Sequence, residues 1–218
     1  VDLVKSLRES CDVYYYELAQ QVGIEKIAEV ARILGLGQSF DIEMSAVTSG
    51  IVPDKLWKLS ARSREWVVGD TVNSSIGQGY VLASPLQLAV MIARIATGNE
   101  ILPRLVESIN GVEADIETRK LKLSKNNLIL IRKALFEVTN DKRGTAYDSR
   151  VLNEKSQIIG KSGTSQVRNI SAIERTLGVL ENKDLPWEQR DHALFVNYAP
   201  YKDPKIAVSV VVEHGGSG

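Results

Sequence analysis

Period-two patterning dominates the last third of this chain and constrains its fold more than any other feature. Residues 155–167 (KSQIIGKSGTSQV), 192–200 (HALFVNYAP) and 205–214 (KIAVSVVVEH) are rich in β-branched and aromatic residues, which suit a pleated, half-buried surface. The intervening YKDPK, 201–205, has the Pro and Asp of a hairpin connection. Three antiparallel strands are therefore predicted. Helical periodicity precedes them, so the fold class is α/β of the α+β kind, one antiparallel sheet flanked by helices.

From Leu3 to Val22 apolar residues recur at helical spacing, with Gly23 at the C-cap position, predicting one helix over 3–22. IEKIAEVARILGLG predicts a second that stops at Gly35. A polar connection is expected from Gln38 to Asp54, then three tryptophan- or glycine-marked turns up to Gly79. SPLQ places Ser84 at an N-cap, Pro85 at the first helical position and Gln87 as capping-box partner of a helix reaching Gly98. ILPRLVESI reads as a strand, Asn110-Gly111 as a hairpin-like turn, and Ser124 as the cap of NNLILIRKALFEVTN.

The 218 residues, 44% hydrophobic, can bury a substantial core. Lys+Arg 27 balances Asp+Glu 27, so no overall positive field draws the chain to nucleic acid or an anionic membrane. A lone cysteine, Cys11, excludes an intrachain disulfide and a cysteine-based zinc cluster. His192 and His214 flank strands without cysteine or carboxylate at ligand spacing, which favours surface or supporting positions over metal ligation. No run of 18 apolar residues is present. A start without methionine and an end just after an apolar strand give the expectation of a piece cut from a longer protein.

Two stretches carry chemistry. In IIGKSGTSQV, Lys161 stands at the end of an apolar run, and Ser162 and Thr164, two apart, share one side of a strand. A fixed cation, two hydroxyls and a backbone N–H, with Gly163 admitting close approach, make an anchor for a carboxylate and an oxyanion. Taken alone, the run is equally a strand entering a polar turn; such a match arises by chance in about one chain in a hundred. In ESCDVYYY, Ser10 and Asp12 can bring a hydroxyl and a carboxylate into one cleft, or can both lie on a solvated helix face.

Ser-x-Asp early and Lys-Ser-Gly-Thr late resemble, in order, the motifs of penicillin-binding proteins and serine β-lactamases. GDTVNSSIGQGYVLASPLQLA and HALFVNYAPYKDPKIAVSVVVEHGGSG resemble class B penicillin-binding proteins over nearly the whole chain. The GDT…IGQGY segment resembles the elongation-type rather than the division-type transpeptidase. The resemblance implies a penicillin-binding-protein/serine β-lactamase-like transpeptidase fold, with residues 1–218 a truncated portion lacking the first strands and the C-terminal helix. Residues 168–189 resemble the family's variable insertion, expected as a mobile flap.

Roles implied by the resemblance follow residue by residue. Ser10 relays a proton, and Asp12 takes the Asn/Asp place beside the lysine of the Ser-x-x-Lys pair. Lys161 supplies positive potential and holds the Ser10 network in its working protonation state. The Ser162 and Thr164 hydroxyls bind the substrate carboxylate, Gly163 gives the substrate room, and the Thr164 N–H forms half of an oxyanion hole. No Ser-x-x-Lys occurs in the sequence, so the acylated serine is expected upstream of Val1 and the chain alone is expected to be inactive. Implied partners are D-Ala-D-Ala stem peptides, β-lactams and a membrane glycosyltransferase of the elongation machinery. No nucleic acid, metal or organic cofactor is implied. The implied location is the periplasmic face of the inner membrane, reached by an N-terminal anchor helix outside this sequence. Two other readings remain: a β-lactam-hydrolysing or β-lactam-sensing domain of the same fold, and a non-catalytic binding domain.

Overall fold

The computed structural model of the chain describes residues 1–45, 47–113 and 118–218. Helix α1 (Leu3–Arg8) is capped by the Asp2 carboxylate, which accepts the Lys5 N–H at 2.8 Å, and α2 (Asp12–Val22) follows after a break. The single helix expected over 3–22 is thus two. Its interruption is a Schellman closure: the Cys11 N–H donates to the Ser6 carbonyl at 2.8 Å and the Ser10 N–H to that of Leu7 at 3.4 Å. Apolar periodicity continues across the break, so nothing in the pattern betrays it.

Helix α3 (Ile24–Ile33) starts directly after Gly23. Where turns were expected, the chain forms two eight-residue helices, α4 (Lys55–Arg62) and α5 (Val68–Ser75), each little more than two turns long. Asp54 caps α4 by accepting the Trp57 N–H at 2.8 Å. The buried Lys58 ammonium donates to the Asp70 carboxylate, which also takes the Val67 N–H at 2.8 Å and so locks α4 to the start of α5.

The expected capping box opens α6 (Pro85–Thr97): Ser84 Oγ accepts the Gln87 N–H and Gln87 Oε1 accepts the Ser84 N–H. Fully buried Gln87 also donates to the carbonyls of Gln38 and Ser49, at 2.8 and 2.7 Å, tying the long connection to the helix. Strand β1 (Ser108–Ile109) pairs with β2 (Val112–Glu113) around Asn110-Gly111. The strand expected over ILPRLVESI is therefore confined to its last two residues. Pro103 lacks a ladder donor, and buried Arg94 claims the Ile101 carbonyl at 3.2 Å.

Helix α7 (Lys125–Asn140) leads to β3 (Ile159–Ser165), α8 (Ala172–Leu177), β4 (His192–Ala199) and β5 (Ile206–Val212). The segment expected as a flap contains α8 and two 3₁₀ turns, with Arg168 donating to Glu174. The three predicted strands pair antiparallel in the order β3-β4-β5, with Ile159 opposite Tyr198 and Tyr198 opposite Ala207. These three residues face α6 and α7, where Ile92, Ala96 and Leu135 complete the core. By alternation Lys161 lies on this helix-covered face and Ser162 and Thr164 on the other. Among the described residues β3 has a strand neighbour on one edge alone.

Tyr198 has no exposed surface, and burial pushes its phenol up to about 12 from an ordinary value of 10.0. The folded state thus holds the phenolic proton more tightly than the unfolded one, and the linked stability is present below pH 10 and lost as pH rises towards 12. Tyr198→Phe should abolish this component. Relative to the variant, the wild type should lose about 2 kcal/mol between pH 9 and pH 12 in urea unfolding.

Candidate active site

Local backbone geometry sets the first half of the site. Ser10 occupies the C′ position of the Schellman closure at φ +53°, a left-handed conformation usually given to glycine. A non-glycine residue there carries a local cost of about 1–2 kcal/mol. The turn lifts the Ser10 hydroxyl clear of both helices. Asp12 begins α2, exposed, two residues further on.

Strand β3 supplies the second half. Lys161 Nζ donates to Ser10 Oγ at 3.0 Å and to the Ser162 carbonyl at 2.9 Å, bridging the helical turn and the strand edge across 151 residues of sequence. Burial pulls the Lys161 ammonium below its ordinary pKa, and the Asp12 carboxylate partly offsets this. Because Ser10 Oγ accepts from Lys161, its own O–H is left to donate elsewhere. The Ser162 hydroxyl shares a hydrogen bond with Thr145 Oγ1 at 3.1 Å, and Thr164 Oγ1 accepts the Gly218 N–H at 3.3 Å. Ser10, Lys161 and Ser162 are thus directly linked, with Asp12 acting on Lys161 through charge. Gly163 and Thr164 continue the same edge.

Three residues to which the motif reading gave no role support this arrangement. Buried Arg8 in α1 donates to Glu9 at 2.7 Å and to Glu137 of α7 at 3.1 Å, and lies 3.6 Å from the Asp141 carboxylate. Its carbonyl accepts the Thr145 N–H at 3.2 Å, so one residue fixes both the Ser10 turn and Thr145. Gln78 Nε2 donates to the Thr164 carbonyl at 2.9 Å. Arg8 stands two residues before Ser-x-Asp, but its burial emerges only once α1 packs on α7; Thr145, in a glycine turn, offers no periodic signal.

A cavity of ≈ 260 Å³ adjoins Ser162 on the outer sheet face, walled by Thr145, Ser149, Phe195, Val210 and Gly218. A larger one of ≈ 460 Å³ lies among α1, α3, α6 and α7, where Leu3, Val30, Ile95 and Ile131 line it. With Asn127 the one polar residue among its described lining, the larger cavity has no group suited to acid, base or nucleophilic work. His192 and His214 pair with each other instead: His192 Nδ1 accepts the His214 N–H at 2.9 Å. Among the described residues no three His, Cys, Asp or Glu side chains converge as metal ligands.

The family model described as "Penicillin binding protein transpeptidase domain" matches residues 1–218. "Peptidoglycan D,D-transpeptidase MrdA" of Acinetobacter baumannii is 32% identical over 226 residues, covering 100% of this chain and 32% of that protein. The chain therefore spans about a third of that relative's length. PBP2 in complex with MreC from Helicobacter pylori superposes with a TM-score of 0.83 at 36% identity, over 99% of this chain and 37% of that one. Pseudomonas aeruginosa PBP2 in complex with WCK 5153 gives 0.83 at 33%, over 100% and 46%.

Glycines 160 and 163 separate packing from site. A Cβ on Gly160 would run into the Val196 carbonyl, whereas one on Gly163 would meet little but Leu194 Cβ at 3.7 Å. Gly160→Ala should cost about 1–3 kcal/mol, and Gly163→Ala should stay within about 0.5 kcal/mol of wild type by chemical unfolding. At Ser10, alanine and glycine both remove the hydroxyl, but Ser10→Gly should be about 1 kcal/mol more stable than Ser10→Ala because glycine accepts the left-handed backbone.

Proposed function

The chain belongs to the penicillin-binding protein transpeptidase domain family, and on that premise we propose that it serves a peptidoglycan D,D-transpeptidase of cell-wall elongation. The observation that carries this reading is the Lys161–Ser10 hydrogen bond, which joins the Ser-x-Asp and Lys-Ser-Gly-Thr motifs into one proton-bearing unit.

In the reaction, a serine supplied from outside residues 1–218 attacks the D-alanyl-D-alanine carbonyl, forming an ester bond through a tetrahedral oxyanion. Collapse breaks the amide bond and releases D-alanine, whose nitrogen takes a proton. Ser10 is placed to deliver it, since Lys161 leaves the Ser10 O–H free to donate and can replenish it. An amine of a neighbouring stem peptide then attacks the ester, gives up its proton through the same relay, and completes the cross-link. Lys161 attracts the substrate carboxylate, the Ser162 and Thr164 hydroxyls bind it, and the Thr164 N–H stabilises the oxyanion. Gly163 keeps the edge open to the substrate backbone. Asp12 tunes Lys161 electrostatically. A β-lactam presents the same carbonyl and carboxylate and is captured as a stable ester.

The chain's share of its relatives supports reading residues 1–218 as part of a larger transpeptidase domain. So does β5, where Val210 and Val212 stand 44% and 52% exposed, a surface that further elements of such a domain would cover. Placement on the periplasmic face of the inner membrane, with a glycosyltransferase partner, belongs to the same proposal. The Helicobacter pylori relative is in complex with MreC, which supports assembly with partner proteins.

The full-length protein should gain the mass of one penicillin molecule on incubation with the drug, while the 218-residue chain alone should gain none. Lys161→Ala and Ser10→Ala should each slow acylation about 100-fold, and Gly163→Ala should slow it despite its native stability. A full-length protein that folds yet remains unacylated would sink the reading.

A further inference from the structure

The Thr164 carbonyl receives its hydrogen bond from outside the sheet. In an antiparallel ladder the N–H and C=O of one residue point to the same side of the strand. Ser162 O accepts Lys161 Nζ and Thr164 O accepts Gln78 Nε2, and these donors reach the strand from its unpaired edge. Residues 162 and 164 therefore direct both backbone groups away from β4, and the Thr164 N–H leaves the strand on the side that Gln78 holds.

Gln78 is itself held rigidly, without help from its own side chain. The turn after α5 is closed by backbone bonds: Gly77 N–H to the Ser74 carbonyl at 3.1 Å and Gln78 N–H to that of Asn73 at 3.0 Å. Gly77 and Gly79, at φ +76° and +73°, give the left-handed backbone on either side of it. Upstream, the buried Lys58–Asp70 pair secures the start of α5. The carboxamide of Gln78 is thus spare for a single purpose, a hydrogen bond spanning 86 residues of sequence to β3.

We infer that Gln78 is a positioning residue for acyl transfer: by pinning the Thr164 carbonyl it fixes where the Thr164 N–H meets the developing oxyanion. This rests on the transpeptidase reading above. An oxyanion donor works through preorganisation, so freedom at Thr164 weakens stabilisation of the tetrahedral state while leaving ground-state binding alone. Gln78 touches no reacting atom. Its effect falls on the rate constant of the chemical step.

The test uses the full-length protein with Gln78→Ala and Gln78→Glu, the second keeping the shape of the side chain while removing the N–H donor. Stopped-flow acylation by a fluorescent penicillin separates the non-covalent Kd from the acylation rate constant. Both variants should lose about tenfold in that rate constant with Kd within about twofold of wild type. A penicillin-like boronic acid, which places a tetrahedral oxygen in the oxyanion site, should lose affinity by a similar factor. An acylation rate constant for Gln78→Glu within twofold of wild type overturns the inference. So does a parallel loss of Kd, rate constant and Tm in both variants, which would mark a structural role. A wild-type protein that is never acylated overturns the transpeptidase reading itself, and the positioning role with it.

Discussion

An unpaired strand edge governs this structure. Backbone N–H and C=O groups removed from water need partners, and β3 has no neighbouring strand among the described residues on the side where Ser162 and Thr164 direct theirs. Two carbonyls on that edge are answered by side chains, Lys161 at Ser162 and Gln78 at Thr164. A further strand in that place would satisfy the same groups more simply and leave no cleft. Side chains in that place answer single carbonyls and leave β3 without a strand partner on this edge among the described residues.

The arrangement requires the helices to be fixed relative to the sheet to within a hydrogen-bond length. Apolar packing of α6 and α7 on Ile159 and Tyr198 sets the layer spacing, but such contacts are non-directional and do not settle where a hydroxyl lies. Direction comes from buried polar groups. Arg8 ties α1 to α7 through Glu137 and offers its carbonyl to Thr145, while Thr139 Oγ1 in α7 donates to the Ile158 carbonyl at 2.8 Å, just before β3. Hence the Ser10 turn, the end of α7 and the start of β3 form one hydrogen-bonded body. The 3.0 Å Lys161–Ser10 contact is a consequence of that body rather than its cause.

What the sequence disclosed follows the reach of each signal. The three strands and α6 were legible because alternation and a capping box are local patterns with one physical solution. Two short motifs, around Ser10 and Lys161, stood out as well, and the fold brings them within 3.0 Å of each other. Helices α4 and α5 were hidden because eight residues complete little more than two turns, and the buried Lys58 reads as a surface residue until Asp70 is placed against it. Thr145 and Gln78 were hidden for another reason. Each contributes through a partner far along the chain, Ser162 and Thr164 respectively, and no periodicity encodes such a pairing. The break at residues 9–11 combines both problems, since it preserves apolar spacing and places a serine where local preference calls for glycine.

That last conflict bears on mechanism. Local preference, pattern and packing agree over most of the chain, as they do in sequences that specify one structure. At residue 10 they disagree: glycine would close α1 with less strain and would leave Lys161 Nζ without its side-chain acceptor. A residue that keeps an unfavourable backbone in order to present a hydroxyl is one whose hydroxyl outweighs the strain. The left-handed turn also has a geometric use. It breaks the chain between two helices within three residues, so the hydroxyl sits at a corner rather than along a helix face. On a continuous helix over 3–22, residue 10 would lie in mid-helix with its side chain directed back along the preceding turn. The strain at Ser10 and the exposure of its Oγ to the β3 edge are therefore two descriptions of one backbone choice.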